Sequence, residues 1–517
     1  MTGFADRPDS GNQPDRLARL GFPNTSSLIA VGVVAMFVIG SAASIETSSA
    51  ALIGAKDWVV HHLDWMFVGT ATCALVGIVG IGFSPLGRVR LGMDQDTPEF
   101  GNLAWFAMLL SAGLASGLLY WATAEPVLHF QANPFLAPAG IAAATEAAVP
   151  AALRITVLHW GLHGWAFYVV IALAIGIQSH RHGRPLTFRI ALYPLLGERY
   201  IDRWPGLAID LLALFGTVCG VATSIGLAAA GMNATLGRLF GLGVSTTHQV
   251  AIVFVVCALG AASALSGVAR GVRRLSEVNV WISLLLLLAV AVLGPTLYLG
   301  GLLLDTLVDY ASSFLSVGAW LAGTADEQSW QADWTIFYWG WWLAWTPFVG
   351  LFIARISKGR SVREVVVGVL LVPALVIVVW MTIFGGTALH QELAETGAVS
   401  VAVNQDYSLG IVAVIENLGH AHLEVFLIAV AAFLLFTWMI TSLDSATLVL
   451  CMLLGAEDAA PAKVFWGIAL AAVTCALMLV GGVSALQAAS IVVGLPLAII
   501  VLLAGVGIVV DFVGWGR

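Results

Sequence analysis

Apolar residues in this chain come in long runs parted by short polar stretches. A helix needs roughly 20 residues to cross the ~30 Å hydrocarbon core of a bilayer. Twelve runs read as such spans: 26–46, 58–84, 102–125, 152–178, 206–237, 247–269, 277–301, 333–356, 365–387, 423–450, 462–481 and 485–511. The pattern predicts an all-α polytopic membrane protein. Two polar-apolar stretches between spans stand apart. Residues 302–323 carry Asp305, Asp309, Ser312 and Ser316 at helical spacing, and residues 403–419 mix Asn404, Asp406 and Glu416 with Ile411, Val412 and Ile415. Both read either as amphipathic helices at the outer surface or as plain connectors. The first 24 residues are polar, with Pro, Asp and Arg, and read as a disordered tail. Because that leader is long and contains acids, the run after it reads as a retained first helix rather than a signal peptide.

Composition agrees. The 517 residues are 60% hydrophobic and 10% charged, where a soluble chain carries about 25% charged residues. Placing the N-terminus inside puts 19 of the 22 Lys and Arg residues on the inner side and leaves Lys56, Arg154 and Arg238 outside. This obeys the positive-inside rule and implies a multi-pass protein of the cell membrane with both termini cytoplasmic. The absence of a basic patch or stripe excludes nucleic acid as a partner. Cys73, Cys219, Cys257, Cys451 and Cys475 each fall in an apolar run without ligand spacing, so they read as packing residues, with no disulfide and no transition-metal site. No nucleophile–base pair or phosphate loop falls in the spans, which argues against an enzyme.

The most informative stretch is Asp333 to Glu364, DWTIFYWGWWLAWTPFVGLFIARISKGRSVRE. Five tryptophans crowd it: Trp334, Trp339, Trp341, Trp342 and Trp345. The last three lie too near the middle of the span for an interfacial belt. Gly340 and Pro347, both helix-weakening, bracket them. These features predict a broken helix whose aromatics line a mid-membrane cavity for a cation. The fourth span adds Trp160, Trp165 and Tyr168. At 100° per residue Trp165 lies about 140° and Tyr168 about 80° from Trp160, so they form no single stripe, though they can wall one broad cavity.

This stretch resembles the signature of the betaine/carnitine/choline transporter (BCCT) family, nearly unbroken from Asp333 through Arg355-x-x-Lys358-Gly359-Arg360 to Arg363-Glu364. Other motifs resemble the same family: Ser84-x-x-Gly87, Leu91-Gly92 and Pro98-Glu99-Phe100; Gly117-Leu118-Leu119-Tyr120-Trp121 with Ala124-Glu125-Pro126; His159-Trp160-Gly161-Leu162-His163; Gly220-Val221-Ala222-Thr223-Ser224; and Thr441-Ser442-Leu443-Asp444-Ser445. The resemblance implies twelve transmembrane helices in a LeuT-like 5+5 inverted repeat, with two extra N-terminal helices. The domains expected are a cytoplasmic tail (1–25), two accessory helices and a loop (26–101), a first five-helix repeat (102–301), an outer helix or loop (302–332), a second repeat (333–511) and a short cytoplasmic C-terminus (512–517). The shortness of that last segment predicts weak osmotic regulation. The family usually forms homotrimers.

The resemblance also implies roles. Trp160, Trp165, Tyr168 and Trp342 match the family's aromatic cage; Trp341 and Trp345 match its access-path tryptophans, with Phe348 and Phe352 at the same rhythm. An onium group offers no hydrogen-bond donor, so π faces are its partners, at ~0.5–2 kcal/mol each. A carboxylate on the substrate would meet the segment Gly113 to Gly117. Here the chain departs from the family's Gly-x-Gly-x-Gly pattern: Ala115 replaces the middle glycine, Ser116 stands for an apolar residue, and Gly117 is kept where choline carriers tend to have aspartate. Sodium, the expected coupling ion, would take carbonyls of Ser111 and Leu114 and hydroxyls of Thr441 and Ser442. A second sodium site would use Thr217 and Ser224 but finds Val221 where a threonine is expected. Intramembrane Glu125, His159, His163 and Asp444 are candidates by location, with structural roles expected, Glu125 at a helix end before Pro126. The function expected is sodium-coupled uptake of a zwitterionic quaternary ammonium or sulfonium solute, such as glycine betaine or dimethylsulfoniopropionate. The alternative is a proton-coupled or exchange carrier for choline or carnitine; a membrane-embedded enzyme ranks last.

Overall fold

The computed structural model describes residues 25–113, 117–265, 269–395, 397–456 and 459–515. Among them the regular structure is helical, apart from one isolated antiparallel bridge between Arg90 and Ser361. The principal helices are α1 (Thr25–Ala43), α2 (Ile45–Phe83), α3 (Asn102–Gly113), α4 (Gly117–Gln131), α5 (Val149–Trp160), α6 (Leu162–Gly176), α7 (Trp204–Phe240), α8 (Thr246–Leu265), α9 (Ala269–Leu293), α10 (Thr296–Gly318), α11 (Ala325–Gln331), α12 (Phe337–Ile356), α13 (Val362–Ala394), α14 (Gly410–Glu416), α15 (Ala421–Leu453) and α16 (Ala460–Trp515).

Among the described residues, eight helical stretches are long and apolar enough to cross a membrane, and a bent pair would make a ninth. The chain is therefore a multi-pass membrane protein. The count falls below twelve for local reasons. α16 joins two expected runs through Gly481 and Gly482, whose backbone leaves the helical region, Gly482 at φ 60°. Residues 114–116 of the third run lie outside the described residues, so α3 and α4 are counted separately and each is short. The apolar part of α8, Thr246–Gly260, also falls short. The seventh run was expected to reach residue 301, but α9 stops at Leu293. Gly294 and Pro295 break the chain there, and α10 leaves at 111°; Pro295 has no N–H with which to continue the helix.

Burial sorts the helices. In α12 every residue from Phe337 to Leu351 is buried, as a helix apolar on all sides requires. It packs against α6, α7 and α16, while α1 keeps most of its surface exposed. The break expected inside the tryptophan-rich helix is not there. α12 runs through Gly340 and Pro347 without interruption, preceded by one π-helical turn, Ala332–Ile336. Pro347 removes only the bond to the carbonyl of Leu343, and packing on every side holds the rest. Gly340 serves contact instead. A Cβ on it would lie 2.8 Å from Ile491 Cα, and one on Gly494 would lie 2.7 Å from Gly340 Cα. Two backbones therefore cross there with nothing between them.

The break falls in the partner. Gly161 separates α5 from α6 with φ −94° and ψ −141°. Tyr310 of α10 fills the gap: its hydroxyl accepts from the freed Leu162 N–H at 2.8 Å, and any Cβ on Gly161 would strike it. Residues 410–415 of α14 are all buried against α4 and neighbouring helices, so this stretch does not lie at the surface as expected.

The loop after α2 and the loop after α12, both expected on the inner side, clasp one another. Leu91 N–H donates to Arg360 O at 2.8 Å, Gly359 N–H to Leu91 O at 2.7 Å and Val362 N–H to Val89 O at 2.8 Å. Arg360 is buried; it donates to Asn102 Oδ1 (2.9 Å) and Phe100 O (2.8 Å) and lies 4.0 Å over the Trp105 ring. Ser361 and Glu364 form a capping box that starts α13. The three basic residues expected outside all meet acids: Lys56 meets Asp57 and Asp333, Arg154 meets Asp309, and Arg238 meets Glu416 and Glu424.

Candidate functional site

The Gly161 break decides how the aromatics meet. Trp160 ends α5, and Trp165 and Tyr168 belong to α6, so a single 100° count does not run through them. The break turns both segments toward α12. Trp342 lies 5.2 Å from Tyr168, 5.7 Å from Trp165 and 6.3 Å from Trp160, centroid to centroid. Trp160 and Trp342 stand at 77°, Trp165 and Trp342 at 61°, and Trp165 and Tyr168 at 87°. Rings inclined this steeply, at such spacing, can share one cation within the ~6 Å at which a π face attracts it. The rings are held in place. Trp342 Nε1 donates to His159 O at 2.8 Å, so the indole is tied to the last turn of α5. Gly164 leaves space for that indole: a Cβ there would lie 2.4 Å from Trp342 Cδ2.

Trp341 and Trp345 share a neighbouring face of α12, and both donate through Nε1 to Gly220 O of α7, at 3.2 and 3.0 Å. Trp341 also stacks on Phe337 at 5.6 Å and meets Trp160 at 5.8 Å. Phe348 packs edge-on against Trp345 at 5.2 Å. Gly117, the first residue of α4, abuts Trp341: a Cβ there would lie 2.4 Å from Cη2 of that ring. Ala115, Ser116 and Leu114, and the side chain of Ser111, lie outside the described residues.

Of the expected sodium ligands, Thr441 donates its hydroxyl to Thr437 O and Trp438 O, both at 3.1 Å, and keeps lone pairs to offer; Ser442 is half-buried on the same turn of α15. At the second candidate site, Thr217 bonds back to Ala213 O at 2.8 Å. Thr223 beside it links α7 to α16 through Leu486 O (3.0 Å) and Ser490 Oγ (2.9 Å).

Sequence reasoning underrated one group. Glu125 does not end a helix; α4 continues through Pro126 to Gln131. Its carboxylate is fully buried and gathers Trp160 Nε1 (2.9 Å), Tyr338 Oη (2.5 Å) and His159 Nδ1 (2.7 Å), with His129 Nε2 at 3.4 Å. The spacing of Glu125 and His129, four residues apart on one helix face, was the available signal. Tyr338, which no motif singled out, stands beside Trp160 at 5.5 Å.

Comparison with known proteins identifies the lineage. The pattern described as BCCT, betaine/carnitine/choline family transporter, matches residues 26–513. The chain belongs to the betaine/carnitine/choline transporter family. It is 35% identical over 491 residues to a glycine betaine/proline/choline transporter of Vibrio parahaemolyticus, covering 92% of this chain and 87% of that protein. It is also 35% identical over 479 residues to the glycine betaine transporter OpuD of Bacillus subtilis, covering 92% of this chain and 91% of that protein. An uncharacterized transporter of Mycobacterium tuberculosis is 36% identical over 482 residues, covering 92% of this chain and 80% of that protein. The protein is thus a transporter and not an enzyme.

Proposed function

We propose that this protein carries a zwitterionic onium solute of the glycine betaine or dimethylsulfoniopropionate kind into the cell, coupled to sodium. The observation that carries this reading is the meeting of Trp160, Trp165, Tyr168 and Trp342 at mid-helix, inclined to one another and tied in place by α5. The relatives named as glycine betaine transporters support it. Trp341, Trp345 and Phe348 would line the approach, and the segment ending at Gly117 would face the carboxylate. Sodium would bind at Thr441 and Ser442 with Ser111 and Leu114, and two inverted five-helix units, preceded by two extra N-terminal helices to make twelve spans, would house both sites.

The test is uptake by the purified protein in liposomes under an imposed sodium or proton gradient. Uptake should follow sodium, and Thr441→Ala with Ser442→Ala should raise the sodium needed for half-maximal rate several-fold, because linkage joins ion and solute affinity. A second reading, proton-coupled or exchange transport of choline or carnitine, draws on the word choline in a relative's name. Uptake that ignores sodium and follows a proton gradient or internal choline would establish it instead.

A further inference from the structure

Behind the aromatic cage lies a buried acid that the transport reading does not use. Glu125 Oε2 receives Trp160 Nε1 at 2.9 Å and Tyr338 Oη at 2.5 Å, and Oε1 receives His159 Nδ1 at 2.7 Å. His159 Nε2 faces Thr335 Oγ1 at 3.1 Å, a hydroxyl that can donate or accept; with Thr335 as the donor, the ring hydrogen sits on Nδ1 and points at Glu125. An indole N–H can only donate. Three donors and the nearby edge of His129 converge on one carboxyl, a donor set that fits the ionised form, which only accepts. The indole of Trp160 connects this charge to the cage: its N–H meets the carboxylate, while its ring stands at right angles to Trp342.

We propose that Glu125 is a positioning residue that also gives the cage its negative charge. It holds Trp160 and Tyr338, and its carboxylate, acting through the Trp160 indole, raises affinity for a positively charged head group. The physical route has two parts. A carboxylate accepting the N–H polarises the indole and makes its face more negative, and the carboxylate's own field reaches the cage through a medium nearly free of water. The cage is therefore not electrostatically neutral, and the onium head is recognised by charge as well as by shape. This rests on the reading that Trp160, Trp165, Tyr168 and Trp342 hold the head group.

The experiment compares two ligands of the same shape: glycine betaine, and 3,3-dimethylbutanoate, in which carbon replaces the cationic nitrogen. Dissociation constants are measured by tryptophan fluorescence on the full chain in lipid nanodiscs, with the weaker ligand followed by competition at high concentration. Glu125→Gln keeps the shape. Its carbonyl accepts from Trp160 and Tyr338, and its amide donates to His159 once that ring adopts its other tautomer. Glycine betaine should bind about tenfold more weakly in this variant, while the carbon isostere keeps its affinity or gains. A dissociation constant is read from the folded fraction alone, so lower yield does not imitate the effect. Tyr338→Phe removes one donor without removing the charge and should leave the ratio of the two affinities within about twofold of the parent's. Equal shifts for both ligands in Glu125→Gln would reduce Glu125 to a structural prop, and no shift for either would also overturn the proposal. Trp342→Leu in the same assay separates the two levels. If it leaves glycine betaine binding intact, the cage reading itself fails; if it weakens binding while Glu125→Gln treats both ligands alike, only the role of Glu125 fails.

Discussion

Two tryptophan-bearing regions lie along α12 and beyond its end, and they differ in where the cation comes from. In the clasp between the two loops the chain supplies it: Arg360 lies over Trp105 and spends its hydrogens on Phe100 and Asn102. In the middle of the helix, Trp160, Trp165, Tyr168 and Trp342 face one another, and none of the Arg–ring contacts among the described residues involves them. The same quadrupole attraction serves both regions. Where the partner is a residue of the chain the pair is a fastener; where the chain offers none, the faces remain for a solute.

The comparison can be broken at either end. Arg360→Ala should have the largest effect, on stability. It removes two charge-assisted hydrogen bonds, to the Phe100 carbonyl and the Asn102 amide oxygen, empties the space of a buried side chain and uncovers Trp105, at a cost of about 3 kcal/mol. The thermal unfolding midpoint should fall sharply, with glycine betaine affinity in the folded fraction unchanged. A large change in affinity at normal stability would erase the distinction between the two regions.

Trp342→Leu should act the other way. Leucine keeps apolar bulk but has no π face, so onium binding in the folded fraction should weaken by about thirtyfold, equivalent to ~2 kcal/mol, beyond the stability lost with the buried indole and its bond to His159 O. Trp342→Phe should retain a measurable part. Equal loss from Leu and Phe, read by direct binding, would assign the residue to packing.

Gly164→Ala is the mildest test and the sharpest on geometry. The added methyl collides with the Trp342 ring, and the ring must shift because the backbone of α6 is packed in place. A loss of about 1 kcal/mol, roughly a fivefold rise in the dissociation constant, is expected with uptake still sodium-driven. Unaltered affinity would mean that the ring's position does not matter to the solute.

Much of this was legible in the sequence, for identifiable reasons. Apolar run lengths revealed the membrane helices because a bilayer fixes the length of anything that crosses it. The aromatic residues could be named from the family motif, but their meeting could not be computed by counting 100° steps, since Gly161 resets the phase between Trp160 and Trp165. Gly340 and Pro347 predicted a break that packing prevents. A helix enclosed on all sides tolerates one missing hydrogen bond, and Gly340 serves closeness rather than flexibility. The cluster around Glu125 stayed hidden because its members come from α4, α5, the π turn and α12, and beyond the Glu125–His129 pair no spacing within one segment links these elements.

The crossing of α12 over α16 at Gly340 and Gly494 has a mechanical consequence. Side chains between two helices behave as springs, since rotamers and methyl contacts yield before backbones do. At this crossing there are no springs: Cα faces Cα and carbonyl, with no room for even one added carbon. Trp341 and Trp342 follow Gly340 directly. A push delivered to those rings arrives at the bearing undamped and has to be taken up as sliding or rotation of one rod against the other. A point of low compliance thus stands one residue from the aromatic faces.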